Sequence, residues 1–265
     1  MRIDAAAGFV LRDRFAYPWL GSAEHMQRDF TPEQLWRILS RNRFEGCVAA
    51  SMAQEGGDVD WLMDLAVTEL WVHGVLGTGG NPRRWDAWQK RGPLCGVLLC
   101  PAEFDAAREV AARGLACELA AHIGEIDQVL RLAEGMPESR MVLAHMGRPS
   151  FRAEDFKTWA AVMERLGRQS PVFVKISGLI NEAGATGWKA DWYRPWVQHL
   201  LEVFGPQRLM YGSDWPRCMR TGTWKESLAA FTQSIGAQPM EAREQLLGGT
   251  AARFYRLTAT LTSLK

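Results

Sequence analysis

The chain alternates between short apolar segments and amphipathic segments eight times, and this alternation restricts its fold more than any other feature. Each apolar segment is apolar throughout rather than at every second residue, which is typical of parallel strands buried on both faces. Several amphipathic segments begin with helix-capping signals, such as Thr31 before Pro32 and Asn81 before Pro82. Eight strand and helix pairs predict an α/β fold, a (β/α)8 TIM barrel.

We expect a single domain over residues 1–265, because this is an ordinary length for one barrel and no linker or low-complexity stretch interrupts the alternation. A doubly wound open sheet is the alternative fold. It is disfavoured because no GxGxxG motif follows the first strand to mark a dinucleotide site. The predicted strands cover residues 1–10, 47–51, 70–76, 94–100, 115–120, 141–144, 172–176 and 209–211.

Composition narrows the classes of partner. The 31 basic and 30 acidic residues give a net charge of +1, which does not indicate binding to nucleic acid. No apolar run reaches the ~18 residues of a membrane span, and the first ten residues do not resemble a signal peptide. The five cysteines lack metal-site spacing, which favours reduced thiols. We expect a cytoplasmic protein that binds a small molecule, with no nucleic-acid or membrane partner. The sequence leaves its oligomeric state open.

Polar residues at the ends of the predicted strands are the candidates for chemistry, because the carboxyl ends of barrel strands meet at one face, the mouth of the barrel. Asp214 follows the eighth strand, and its neighbour Trp215 is expected to exclude water and contact the substrate, so Asp214 is a candidate general base. Its alternative role is to cap the next loop. His145 follows the sixth strand, where a neutral imidazole can hold a carbonyl oxygen or a metal. Its alternative role is structural, in a tight turn.

Five further residues are candidates for substrate binding. Glu118 is a charged residue within an apolar strand. Burying its carboxylate is costly unless it has a charged or hydrogen-bonding partner or a functional role. Lys175 and Ser177 lie at the end of the seventh strand, although Lys175 alternatively pairs with a carboxylate such as Asp214 or Glu118 inside the barrel. His73 in the third strand and His122 after the fifth complete the set, since either can reach the mouth. A Ser-His-Asp triad is disfavoured because the sequence has no GxSxG motif.

Three segments resemble successive signatures of the amidohydrolase superfamily. They are VLAHMGRP at 142–149, VKISGL at 174–179 and RLMYGSDWP at 208–216. The similar branch contains fuconolactonase-like and pyrone-dicarboxylate lactonase-like enzymes, and the resemblance extends over nearly the whole chain. It implies that Asp214 accepts a proton from the attacking water and that His145 orients the carbonyl or stabilises the oxyanion. It also implies that Lys175 and Ser177 help to form the pocket floor.

The chain departs from this superfamily at two strands. Members usually carry His-x-His at the end of the first strand, where this chain has Ala6 and Gly8, and an arginine at the end of the fourth, where it has Leu98. We therefore expect a more apolar pocket, and a less polar substrate, than in the sugar-lactone and dicarboxylate enzymes.

The same departures bear on cofactors. With two expected metal ligands missing, we expect no cofactor and no tightly bound metal. A single divalent ion is not excluded, since Glu118, His145 and Asp214 together are an acceptable ligand set.

The sequence thus predicts a metal-independent hydrolase of a lactone or ester, with Asp214 as general base and His145 polarising the carbonyl. A second interpretation keeps both residues in a non-hydrolytic proton transfer of a biosynthetic pathway, as in a decarboxylase, dehydratase, isomerase or cyclase. A third is a non-catalytic binding protein on the same barrel.

Overall fold

The fold is a parallel eight-stranded barrel surrounded by helices, which confirms the predicted (β/α)8 architecture. A computed structural model describes residues 1–79, 81–182 and 187–257. Each strand pairs in parallel with the next one in the sequence. The strands are β1 (Ile3–Ala7), β2 (Gly46–Ala50), β3 (Val72–Thr78), β4 (Leu94–Leu99), β5 (Ala116–Leu119), β6 (Met141–Leu143), β7 (Phe173–Ile176) and β8 (Leu209–Tyr211).

Helices follow the strands and pack on the outside of the barrel. Two of them begin at the predicted caps: the Asn81 side chain accepts a hydrogen bond from Arg83 N–H at 3.0 Å, and the Gln34 side chain accepts one from Thr31 N–H at 3.3 Å. The helices within the described residues are α1 (Pro32–Arg41), α2 (Val59–Thr68), α3 (Pro82–Arg91), α4 (Ala107–Ala112), α5 (Ile126–Gly135), α6 (Phe156–Gln169), α7 (Leu179–Glu182), α8 (Ala190–Phe204), α9 (Trp224–Ile235), α10 (Met240–Glu244) and α11 (Thr250–Tyr255).

The first strand is shorter than predicted. It pairs with β2 only as far as Ala7, after which Gly8 N–H donates to Trp215 O at 2.8 Å, in the segment that follows β8. Val10 then forms an antiparallel bridge with Phe30. Phe9 and Val10 lie beyond the end of the strand. They are apolar because both pack in the core under a loop.

The interior of the barrel is a narrow apolar core that is separate from the larger core between strands and helices. Phe254 and Tyr255 of α11 close its amino-terminal end. At the opposite end of the barrel, the mouth, the interior is lined by polar residues. The buried residues of this inner core are Ile3, Ala5, Val48, Leu76, Cys95, Ala116, Val142, Met210, Ala251, Phe254 and Tyr255.

The sequence also predicts reduced cysteines and no membrane-spanning segment. All five cysteines are free, and all except the exposed Cys100 are buried. Of the helices in the described parts of the chain, none combines the length and the apolar composition that crossing a bilayer requires.

The barrel closes at a seam between β1 and the segment that follows β8. Asp214 N–H donates to Ala6 O at 2.8 Å. The fully buried carboxylate of Asp4 accepts hydrogen bonds from Ser213 N–H and from the indole N–H of Trp224, both at 2.8 Å. Asp4 thereby fixes the residue that precedes Asp214.

We predict that Asp4→Ala lowers the free energy of unfolding in urea by about 2–4 kcal/mol. The N–H groups of Ala6, Ser213 and Trp224 lose an acceptor, and each unsatisfied donor costs roughly 1–3 kcal/mol, which removal of a buried carboxylate partly offsets. Asp13→Ala is the matched control, because Asp13 is exposed and surface changes of this kind stay within about 0.5 kcal/mol. Equal losses in the two variants would show that Asp4 does not stabilise the seam.

Candidate active site

A small cavity lies at the mouth of the barrel and brings together side chains from most of the strands. Its volume of about 70 Å³ has room for only a few water molecules. Cavities of up to about 480 Å³ occur elsewhere, but within the described residues only the small one is lined by both His145 and Asp214. Its lining consists of Ala6, Ala50, Ser51, Met52, Leu98, Glu118, Ala120, Ala144, His145, Arg148, Lys175, Asp214 and Arg217.

His145 lies in a turn after β6 with a left-handed backbone, φ 49°. Its Nδ1 is 2.9 Å from Ser177 Oγ, which leaves Nε2 as the ring nitrogen available to the cavity. Burial, together with the charges of Arg148, Lys175 and Arg217, lowers the pKa of His145 to about 3. The imidazole is therefore neutral at ordinary pH, with one ring nitrogen that donates a hydrogen bond and one that accepts.

Asp214 also has a left-handed backbone, φ 60°, and is almost fully buried. Asn181 Nδ2 donates to its Oδ2 at 3.4 Å. A non-glycine residue in this conformation costs roughly 1–3 kcal/mol and persists only where the surroundings enforce it. For Asp214 the enforcing contacts are those of the barrel seam. They hold the carboxylate against the cavity.

Glu118 and Lys175 form a buried polar network beneath the cavity. Lys175 has no exposed surface, and its Nζ donates to Glu118 Oε2 at 2.7 Å. The phenol of Tyr255 donates to the same oxygen at 2.8 Å. Burial and the charge of Glu118 raise the pKa of Tyr255, so that this phenol remains a donor. Both predicted residues reach the cavity floor, and there Lys175 adopts its alternative role as an ion-pair partner of Glu118.

The loop after β2 is held by the buried carboxylate of Asp58. This carboxylate accepts hydrogen bonds from Ser51 Oγ at 2.5 Å and from the backbone N–H groups of Met52 and Ala53, each at 3.1 Å. The Met52 side chain fills the space beside Gly8. A Cβ atom on Gly8 would collide with Met52 Cγ and lie 2.7 Å from its Cε. Met52 thus occupies the room into which a side chain at position 8 would project.

Sequence reasoning missed two residues that line the cavity, Arg148 and Arg217. Each lies three positions after a candidate catalytic residue, Arg148 after His145 and Arg217 after Asp214, and this spacing was the signal available in the sequence. These two arginines add positive charge to a pocket that the sequence predicts to be more apolar. The loops after β6 and β8 supply cations that β4 lacks at Leu98.

Four predicted residues do not line the cavity. Ser177 contacts it only through His145, whose Nδ1 lies 2.9 Å from its Oγ. Trp215 is 1% exposed and packs edge-on against Phe9 and Phe30 in the core. His73 lies near the start of β3, at the opposite end of the barrel. His122 is exposed, and its N–H donates to Glu125 at the start of a short 3-10 turn. None of these positions could be separated from a mouth position by sequence alone.

The donors in the cavity that could contribute to a divalent metal site are Glu118, His145 and Asp214. Across the described residues there is no group of three or more His, Cys, Asp or Glu side chains placed to hold one. Glu118, His145 and Asp214 do line one cavity, but Glu118 is engaged by Lys175 and Tyr255. The positive charges of Arg148, Lys175 and Arg217 near the imidazole also repel a metal cation.

Comparison with known proteins agrees with this geometry. A family model described as amidohydrolase, Amidohydro_2, matches residues 64–257. The chain belongs to the amidohydrolase family. An L-fucono-1,5-lactonase from Burkholderia multivorans is 27% identical over 97% of this chain and 96% of its own. The relatives identify the chain as a hydrolase of the lactonase-like branch of the family.

Solved structures show the same relationship. A Burkholderia multivorans amidohydrolase with bound Zn has a TM-score of 0.84 at 27% identity, covering 97% of this chain and 100% of its own. A probable 2-pyrone-4,6-dicarboxylic acid hydrolase from Acinetobacter baumannii shares the fold, with a TM-score of 0.76 at 16% identity and coverage of 97% and 99%.

We predict that removing one charge of the buried Glu118–Lys175 pair lowers the free energy of unfolding more than removing both charges does. Glu118→Leu leaves the Lys175 ammonium buried without its carboxylate and should lower the free energy of unfolding by about 3–5 kcal/mol. Glu118→Leu with Lys175→Met should recover most of that loss in urea titrations. The exposed pair of Glu164 and Arg168 is the control, where Glu164→Leu should cost less than about 1 kcal/mol. A double variant no more stable than Glu118→Leu would contradict the role of the buried charge.

We predict that the His145 imidazole stays neutral from pH 8 down to about pH 4, as measured by its ¹⁵N chemical shifts, with His145→Asn used for assignment. The folded-state pKa of about 3 lies below the ordinary value of 6.5, so the unfolded chain binds the proton first. Stability should therefore decrease as pH falls from 6.5 towards 3, and His145→Asn should flatten this part of the profile. Protonation of the ring near pH 6 in the folded protein is the contrary result.

Proposed function

We propose that this amidohydrolase hydrolyses a lactone or ester without a resident metal ion, using Asp214 as general base and His145 as the carbonyl-polarising group. The observation that carries the proposal is that a buried carboxylate and a neutral imidazole face one enclosed cavity. Hydrolysis needs a base for water and a hydrogen-bond donor for the developing oxyanion, and these two groups are of the required kinds.

In the proposed reaction, Asp214 removes a proton from a water molecule while the water oxygen forms a bond to the carbonyl carbon. The carbonyl electron pair moves onto oxygen, where the imidazole N–H of His145 stabilises the negative charge. When the tetrahedral intermediate collapses, the bond to the ring or ester oxygen breaks, and Asp214 returns its proton to that oxygen. One water is consumed, and a lactone gives a hydroxy acid.

Ser177 has a positioning role in this scheme. Its Oγ lies 2.9 Å from His145 Nδ1. In the tautomer that we propose, the hydroxyl donates to Nδ1, and the proton of the neutral ring is on Nε2, facing the cavity. The nearby cations keep the ring neutral and add positive potential where the oxyanion forms. These charges replace part of the polarisation that first-strand imidazoles would provide.

The choice of lactone and ester is supported by relatives. The relative that aligns with nearly all of this chain is an L-fucono-1,5-lactonase, whose name gives a lactone as its substrate. The absence of imidazoles at Ala6 and Gly8, and the filling of that space by Met52, support a reaction that proceeds without a metal.

We predict that the enzyme incorporates ¹⁸O from labelled water into the acid product of a lactone or aryl ester. Asp214→Asn should lower kcat/KM by about 10²–10⁴-fold, because an amide cannot accept the proton. His145→Asn should lower it by about 10²–10³-fold through loss of oxyanion stabilisation. Asp105→Asn is the matched control, since Asp105 is exposed and follows β4 at the same end of the barrel.

Two outcomes would contradict this function. If solvent deuterium enters the product without ¹⁸O, the same residues catalyse a proton transfer rather than hydrolysis. If Asp214→Asn keeps the activity of Asp105→Asn, Asp214 is not the base.

A further inference from the structure

The guanidinium groups of Arg148 and Arg217 differ from those of other partly buried arginines. Arg208, for comparison, donates to Ser170 O and Gly167 O at 2.9 Å. Among the described residues, neither Arg148 nor Arg217 has a side-chain hydrogen bond or ion pair, and Nε of Arg148 is inaccessible to solvent and unpartnered. A buried donor of this kind costs free energy unless something accepts its hydrogen bond.

The Arg217 guanidinium and the Arg148 backbone are held in place at the cavity. Arg217 lies over the ring of Trp19 at 4.7 Å, and the Trp19 indole is itself fixed by a hydrogen bond to Met52 O at 2.9 Å. Arg148 has a left-handed backbone, φ 53°, and its N–H donates to His145 O at 2.8 Å. Cations that are held before a ligand arrives lose less entropy when they bind it.

The charges that line the cavity do not cancel. Glu118 and Lys175 neutralise each other, and Asp214 contributes one negative charge. Arg148 and Arg217 contribute two positive charges, so the lining carries an excess of one. In an enclosed space with little water, this excess attracts an anion more strongly than it would at the surface.

The uncharged part of the lining opposes a neutral polyhydroxyl ligand. Leu98, Ala120, Ala144 and Met52 offer no side-chain hydrogen bonds to hydroxyl groups. The one hydroxyl in the lining, that of Ser51, already donates to Asp58. Hydroxyl groups of a sugar lactone would lose water here with few partners in return.

We propose that the substrate carries an oxyanion, a carboxylate or phosphate, close to the carbonyl that is attacked, and that Arg148 and Arg217 bind this oxyanion. The enclosed volume of about 70 Å³ suits the reacting group and a near neighbour, not a long chain. The inference rests on the proposed function for the reaction, whereas the binding of the oxyanion can be measured without it.

The binding test uses calorimetry with malonate, inorganic phosphate and the neutral malonamide. Malonate or phosphate should bind at least about 10-fold more tightly than malonamide, and the tighter of the two identifies the acidic group. Arg148→Gln and Arg217→Gln should each weaken this binding by about 10- to 100-fold. Arg220→Gln, an exposed arginine of the same short helix as Arg217, should leave it unchanged. Equal binding of malonate and malonamide, or unchanged binding in both variants with native unfolding profiles, overturns the inference.

The kinetic test compares a γ-lactone that bears a carboxylate with the same lactone bearing a carboxamide. The wild type should prefer the acid, and Arg148→Gln and Arg217→Gln should reduce kcat/KM for the acid while leaving the amide nearly unchanged. Equal turnover of both lactones, with no effect of either variant, overturns the inference and leaves the hydrolase function standing. Arginine-dependent malonate binding without hydrolysis of either lactone sustains the oxyanion site and removes the hydrolase function.

Discussion

The seam between the first strand and the end of the eighth is the constraint on which the active site depends. A parallel barrel closes only if its first and last strands meet, and here they meet through backbone hydrogen bonds on both sides of Asp214. The buried carboxylate of Asp4 stabilises the seam by accepting from Ser213 and Trp224. The left-handed conformation of Asp214 accompanies this closure, so the same contacts that complete the fold also orient the carboxylate that we propose as the base.

Charge balance is the second organising principle. The network of Glu118, Lys175 and Tyr255 places a full ion pair in the barrel interior, where separate charges would be costly. Above it, burial lowers the pKa of His145 and keeps its imidazole neutral, and the positive charges of Arg148 and Arg217 add to this effect. The cavity therefore combines a basic carboxylate, a neutral donor and uncompensated cations, a combination suited to developing negative charge.

The chain also shows how a barrel accommodates the loss of first-strand imidazoles. Gly8 leaves a space that the Met52 side chain fills, and Asp58 fixes the loop that presents Met52. A thioether binds a hard divalent ion poorly. The positive charges of the surrounding side chains also repel such an ion. Positive charge for the substrate then has to come from other loops, and the two arginines after β6 and β8 are placed to supply it.

The sequence by itself determined the barrel, because apolar runs and capping signals such as Thr31 and Asn81 are local and survive any packing. It also identified Asp214 and His145, since residues that directly follow buried strands share one end of a parallel barrel. Only the tertiary structure decided which other side chains join them. Strand register places His73 away from the cavity, and core packing does the same for Trp215. The paths of the loops after β6 and β8 bring Arg148 and Arg217 into its lining. Long-range contacts set all of these outcomes, and a local pattern does not encode them.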